Sequence, residues 1–120
     1  MYDITMWGPT GLDPISAKLL GGAGTHGSVV LMYHSISPGD DTPDWLWSIS
    51  YRRFVAQLDL LQAAGWTTVC VRDLKNPMTV AARTAVITFD DGFADSYAAF
   101  DVLRKRNMCA TWFIASGVVG

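Results

Sequence analysis

From residue 29 onward the chain alternates short β-branched or aromatic runs with longer amphipathic stretches, and this alternation constrains the fold more than any other feature. Val29 to Tyr33 reads as a buried strand. Ser50 can cap a helix running to Ala64, with Phe54, Leu58 and Leu61 on one face and Gly65 as its left-handed stop. Strands are expected at Thr67 to Val71 and at Ala85 to Phe89. A second helix follows from about Asp95 to Arg106, with Tyr97, Phe100, Leu103 and Arg104 on or near one stripe and Asn107 able to terminate it. Ala110 to Ala115 is one more apolar strand. The order strand, helix, strand, strand, helix, strand predicts an α/β architecture with a largely parallel sheet.

Between these elements the chain is rich in turn formers. Ser35 to Trp47, with Pro38, Gly39, Asp40, Asp41 and Pro43, reads as a long loop, and Asn76-Pro77 marks a second turn-rich stretch. Residues 1–27 lack strand periodicity and close on Gly21, Gly22, Gly24 and Gly27, so they read as an N-terminal extension and linker ahead of a domain at 28–120. Within the extension, Asp13 and Pro14 can start a short helix ending at Gly21.

With 120 residues, 50% of them apolar and 17% charged, the chain has the composition of one globular core and lies outside the disordered range. A net charge of -2 provides no basic stripe for a phosphate backbone, so nucleic acid is not an expected partner. The opening MYDITMWGPTGLDPIS has no basic segment followed by a continuous apolar run, and no stretch approaches the about 18 apolar residues of a membrane span. No signal peptide or transmembrane segment is therefore read in the chain as given, and its localisation stays open. Cys70 and Cys109 are far apart, in apolar contexts and outside any CxxC pattern, so they read as small core residues in preference to a zinc ribbon or a bridge.

Asp90, Asp91 and Gly92 stand where the strand Ala85 to Phe89 ends. In parallel α/β folds, polar groups of active sites collect at the carboxyl ends of strands. Two adjacent carboxylates there repel each other and lose hydration, a cost that a bound cation offsets. Gly92 allows a sharp turn that aims both side chains at one place. The plainer alternative is a turn in which one aspartate caps the following helix.

Thr88-Phe89-Asp90-Asp91-Gly92 resembles the TFDDG motif of the polysaccharide deacetylase family, the NodB homology domain. Leu31-Met32-Tyr33-His34-Ser35-Ile36 resembles the opening strand of the branch acting on exopolysaccharides and related glycans. Phe54 to Gly65, with Gln57, Leu58, Leu61 and Trp66, looks like that family's first helix, and Ala110-Thr111-Trp112-Phe113-Ile114 looks like the strand after the motif helix. The resemblance spans residues 28–120 and implies the N-terminal portion of the domain: a partial, distorted β/α barrel truncated after about four strands. It implies metal-dependent N-deacetylation of an N-acetylated glycan or oligosaccharide, with a divalent metal, commonly zinc, in the complete domain. Carried over by position, Asp90 is the general base and Asp91 a metal ligand.

The family draws its other two ligands from a His-Ser/Thr-x-x-His motif, and this chain does not contain one. His26 and His34 are its two histidines and stand in no such spacing. One carboxylate does not hold a catalytic metal with useful affinity, so these residues alone are expected to bind none and to be inactive. His34 ends a strand and is placed at the site rim, as a structural hydrogen-bonding residue or a catalytic one, whereas His26 reads as solvated. Trp45 and Trp47 are rim candidates that either stack on sugar rings or pack over the barrel's end. Asp95 reads most simply as a helix N-cap. A barrel halted early leaves sheet edges unpaired, so self-association is expected.

Two other enzyme classes fit poorly. A dehalogenase-type phosphatase needs an aspartate where Gly92 stands, and a glycosidase needs carboxylates set apart across a sugar. The stronger competitor is a non-catalytic fragment or module that binds a glycan or a partner without turnover.

Overall fold

The structure, a computed structural model, describes residues 2–3, 28–39, 43–75 and 83–118. The expected Asp13 helix, the glycine linker, His26, Asp40, Asp41 and the Asn76-Pro77 turn lie outside them. Seven strands are described: β1 (Tyr2–Asp3), β2 (Ser28–Tyr33), β3 (Ser35–Ser37), β4 (Ser48–Ser50), β5 (Thr67–Val69), β6 (Thr84–Phe89) and β7 (Thr111–Trp112). Two α-helices accompany them, α1 (Tyr51–Ala63) and α2 (Ala99–Lys105).

The main sheet is parallel throughout the described pairs, in the order β1-β2-β6-β5 with β7 also on β6. β6 is its axis. It pairs along its whole length with β2, from Ser28↔Thr84 to Tyr33↔Phe89. Its other edge is shared: β5 takes Thr84 to Val86, and β7 takes Thr88 and Phe89. Every residue of β6 is buried, which explains why this strand is a continuous apolar and β-branched run instead of an alternating one.

The period of two still sorts the side chains. Leu31, Tyr33, Ala85, Ile87 and Phe89 enter the core that α1 covers with Phe54, Leu58 and Leu61. Val30, Met32, Val86 and Thr88 face the opposite way, into a cavity. Aromatic edges lock the core: Tyr33 meets Phe54 edge-on at 4.9 Å and stacks on Phe89 at 5.4 Å.

Both helix ends follow the sequence signals. Ser50 Oγ accepts the Arg53 N–H at 3.2 Å, the expected N-cap. At the far end of α1, Gly65 has φ 77°, its N–H reaches Gln62 O at 3.2 Å and Trp66 N–H reaches Leu61 O at 3.0 Å, which is a Schellman stop. Asn107 ends α2 the same way, at φ 52°, with bonds from its own N–H to Arg104 O and from Met108 N–H to Leu103 O. Arg106 then ties the two helices together, its Nη2 lying 2.8 Å from Asp59 Oδ1.

Several expectations need correction. Ser35 to Trp47 is not simply a loop, because Ser35-Ile36-Ser37 and Ser48-Ile49-Ser50 pair in register as a second small parallel sheet with Ile36 and Ile49 in the core. The strand from Thr67 ends at Val69 and gives way to a 3-10 turn at Val71–Lys75. The expected single helix from Asp95 is a 3-10 turn, Ala94–Ala98, followed by α2. Three residues per turn in the first part shifts the phase of the second, so the core receives Ala99, Val102 and Leu103 while Tyr97, Phe100 and Arg104 stay exposed. Asp95 is not the cap: Phe93 occupies that position without a side-chain bond, and Asp95 Oδ2 instead accepts from Ser35 Oγ. The strand expected to Ala115 is confined to Thr111–Trp112, and Phe113 and Ile114 are exposed. Among the described residues no helix is long and apolar enough to cross a membrane.

Candidate active site

Asp90 follows β6 directly, and its N–H donates to Tyr33 O at 2.8 Å, carrying the β2 to β6 register one step beyond Phe89. That step sets Asp90 beside His34. Asp91 and Gly92 both take left-handed backbone, φ 70° and 71°, so the chain reverses within two residues of the strand. An aspartate tolerates this conformation better than a β-branched residue, though at some cost in strain. At Gly92 a Cβ would stand 3.0 Å from Ile114 Cδ1, so the absence of a side chain also permits the close approach of the segment after β7.

The two carboxylates converge on one imidazole. His34 Nε2 lies 3.9 Å from Asp90 Oδ2 and 4.0 Å from Asp91 Oδ2, beyond hydrogen-bond length. The His34 side chain is 14% exposed, Asp90 29% and Asp91 59%, which grades the site from a packed floor to an open mouth. His34 Nδ1 is buried without a hydrogen-bond partner. The imidazole packs on Trp47, ring centroids 5.0 Å apart.

Both aspartates open onto a cavity of about 600 Å3. Its floor is the second face of the sheet, Val30, Met32, Val86 and Thr88, and the rest of its lining is Val71 and Leu74 after β5 and Phe113, Ile114 and Ala115 after β7. Trp45 meets Phe93 edge-on at 5.3 Å, and both rings remain partly exposed. A part-buried polar link joins β3, β4 and the turn after Phe93: Ser35 Oγ and Ser48 Oγ are 3.1 Å apart, and Ser35 also donates to Asp95.

The structure therefore brings together Asp90, Asp91, His34 and Trp47, and it sets Trp45 against Phe93, two residues after Asp91. Phe93 and the Ser35, Ser48 and Asp95 link went unrecognised in the sequence. The repeated Ser-Ile-Ser at 35–37 and 48–50 was the available signal for the link, and Phe93 had none beyond its position after Gly92.

Among the described residues, no group of three or more His, Cys, Asp or Glu is arranged to hold a metal ion. Two donors on one tetrahedral zinc, each about 2.0–2.1 Å from it, are about 3.3 Å apart. The His34 to aspartate separations of 3.9 and 4.0 Å exceed that, so these three groups as they stand do not form a closed zinc site.

No family model matches the chain. A Bacillus subtilis (strain 168) protein assigned as a polysaccharide deacetylase, YxkH, is 32% identical over 96 residues, 76% of this chain and 33% of that protein. The crystal structure of a protein from Bacillus anthracis, likewise assigned as a polysaccharide deacetylase, superposes with TM-score 0.61 at 27% identity over 75% of this chain and 30% of that one. A Bacillus cereus polysaccharide deacetylase superposes with TM-score 0.59 at 26% identity, with the same coverage. The chain thus spans about a third of the length of the relatives it matches. Over the stretch it spans, in sequence and in its parallel α/β sheet, the chain resembles the polysaccharide deacetylase family.

Proposed function

We propose that residues 28–120 are the N-terminal part of a polysaccharide deacetylase domain, contributing the carboxylates of a metal-dependent N-deacetylase of N-acetylated glycans. The observation that carries this reading is the convergence of Asp90 and Asp91 at the carboxyl end of β6, over a cavity large enough for a sugar residue. Asp90, less exposed and aligned by the strand register, accepts the proton of an attacking water. Asp91, held at the mouth by its left-handed turn, offers its carboxylate to a divalent cation. When bound, such a cation supplies Lewis acidity toward the amide carbonyl and toward water. His34, packed on Trp47, lies beside the two carboxylates, and Trp45 with Phe93 presents aromatic faces on which a pyranose ring can stack.

The donors present fall short of a metal site, so the reading includes that this chain by itself does not turn substrate over. The open second face of the sheet fits the same view: Val30, Met32, Phe113 and Ile114 border the cavity in the manner of an incomplete barrel interior, and such a face favours self-association.

A second reading is a glycan-binding module without turnover, favoured by the exposed rings of Trp45 and Phe93 next to an incomplete donor set. One experiment separates the two. Zinc and N-acetylglucosamine oligomers are supplied together, and acetate release and calorimetric binding are followed in parallel. The deacetylase reading expects neither acetate release nor stoichiometric zinc retention by the chain alone, with any weak cation binding lost in Asp91→Ala. Saturable oligosaccharide binding that is indifferent to zinc and to Asp91→Ala establishes the module instead.

A further inference from the structure

The shared edge of β6 forces an exchange of neighbours. β5 leaves that edge after Val69 and β7 arrives at Thr111, so the chain around Cys70 passes directly against the chain around Cys109. Three consecutive bonds lace the crossing. Cys109 N–H donates to Thr68 Oγ1 at 3.0 Å, Cys70 Sγ lies 3.8 Å from Ala110 O, and Val71 N–H donates to Thr111 Oγ1 at 3.1 Å. Adjacent extended segments run about 4.8 Å apart, inside the Cα separation of about 4.4–6.8 Å that a disulfide spans. Both thiols are free, in keeping with the sequence reading, but they are half-buried instead of lying in the core.

We propose that Cys70 and Cys109 are an intramolecular dithiol/disulfide pair whose closure pins together two neighbouring segments that line the cavity beside Asp90 and Asp91. Val71 and Leu74 lie one and four residues after Cys70, Phe113 and Ile114 four and five after Cys109, and all four line that cavity. Burial, and next to it a hydrogen bond with the Cys70 thiol, pushes the Cys109 thiol up, in keeping with the close approach that these bonds describe.

The oxidant is a low-molecular-weight disulfide such as oxidised glutathione. One protein thiolate attacks it, forming a mixed disulfide and releasing one glutathione thiolate. The second protein thiolate then attacks the protein sulfur of that mixed disulfide, forming the Cys70 to Cys109 bond and releasing the second glutathione. Two protein thiols lose two electrons and two protons, and one glutathione disulfide becomes two glutathione thiols.

The test equilibrates the 120-residue protein in glutathione redox buffers, quenches with acid, and measures free thiols and intact mass. The expected product has lost both thiols and two hydrogens, carries no adduct, and yields a single peptide linking residues 70 and 109. Closure is expected at an effective thiol concentration at least about tenfold higher in native buffer than in concentrated urea, because the fold holds the pair together. Cys70→Ser is the control and stalls as a glutathione adduct on Cys109. Persistent adducts on both wild-type cysteines, disulfide-linked dimers, or closure no more favourable in native buffer than in urea would each overturn the proposal.

Discussion

The imidazole of His34 and the carboxylate of Asp90 face each other across two parallel strands, Nε2 to Oδ2 3.9 Å, because the Asp90 N–H carries the β2 to β6 register past Phe89. The other ring nitrogen, Nδ1, is buried with no partner. Replacing it by carbon removes an unsatisfied polar atom, so His34→Phe is expected to hold or raise stability, by up to about 1 kcal/mol. His34→Ala opens space beside Trp47 and is expected to lower stability by about 1–2 kcal/mol. Urea unfolding of the two variants checks both signs.

Gly92 and Ile114 make a second testable contact. Gly92→Ala places a Cβ at φ 71° and 3.0 Å from Ile114 Cδ1, and a loss of about 1–2 kcal/mol is expected. The two costs separate in a double-mutant cycle. Ile114→Ala relieves the contact but not the backbone strain, so the double variant should recover only part of the loss.

How much of this was legible in the sequence depended on the range of the interaction. Ser50, Gly65 and Asn107 were readable as helix boundaries because caps are settled by a few neighbouring backbone groups. Asp90, Asp91 and Gly92 were readable as a strand-end turn because an apolar β-branched run leads straight into them. The phase of α2 was not, since it depends on whether the preceding turn is 3-10 or α, and the stacking of Phe100 on Trp112 at 4.5 Å bears on that. Nor was the Ser35 bond to Asp95 or the meeting of Cys70 with Cys109, which join residues far apart in the chain through sheet order alone. Strand order is a tertiary outcome, and the elements do not encode it one by one.

Tyr33 supplies a core prediction with a pH signature. Its hydroxyl donates to Gln57 Oε1 at 2.6 Å in full burial, so Tyr33→Phe leaves a buried acceptor unpaired and should cost about 1–3 kcal/mol at neutral pH. Burial pushes the Tyr33 phenol well above its ordinary value of 10.0. Above that ordinary value the unfolded chain gives up the proton while the folded chain keeps it, so this contribution is complete below pH 10 and declines as pH rises beyond it. Stability of the parent protein should therefore fall more steeply between pH 10 and 11 than that of Tyr33→Phe, measured by urea midpoints across that range.

We propose Asp90 and Asp91 as the carboxylates of a deacetylase. The most direct test grafts residues 28–118 of this chain in place of the matching third of the Bacillus subtilis relative, then measures acetate release from N-acetylglucosamine oligomers with a divalent cation supplied. Cation-dependent release by the folded chimaera is expected, with its loss in Asp91→Ala while the circular dichroism spectrum stays unchanged. A folded, active chimaera whose acetate release is indifferent to Asp91→Ala would contradict the proposal.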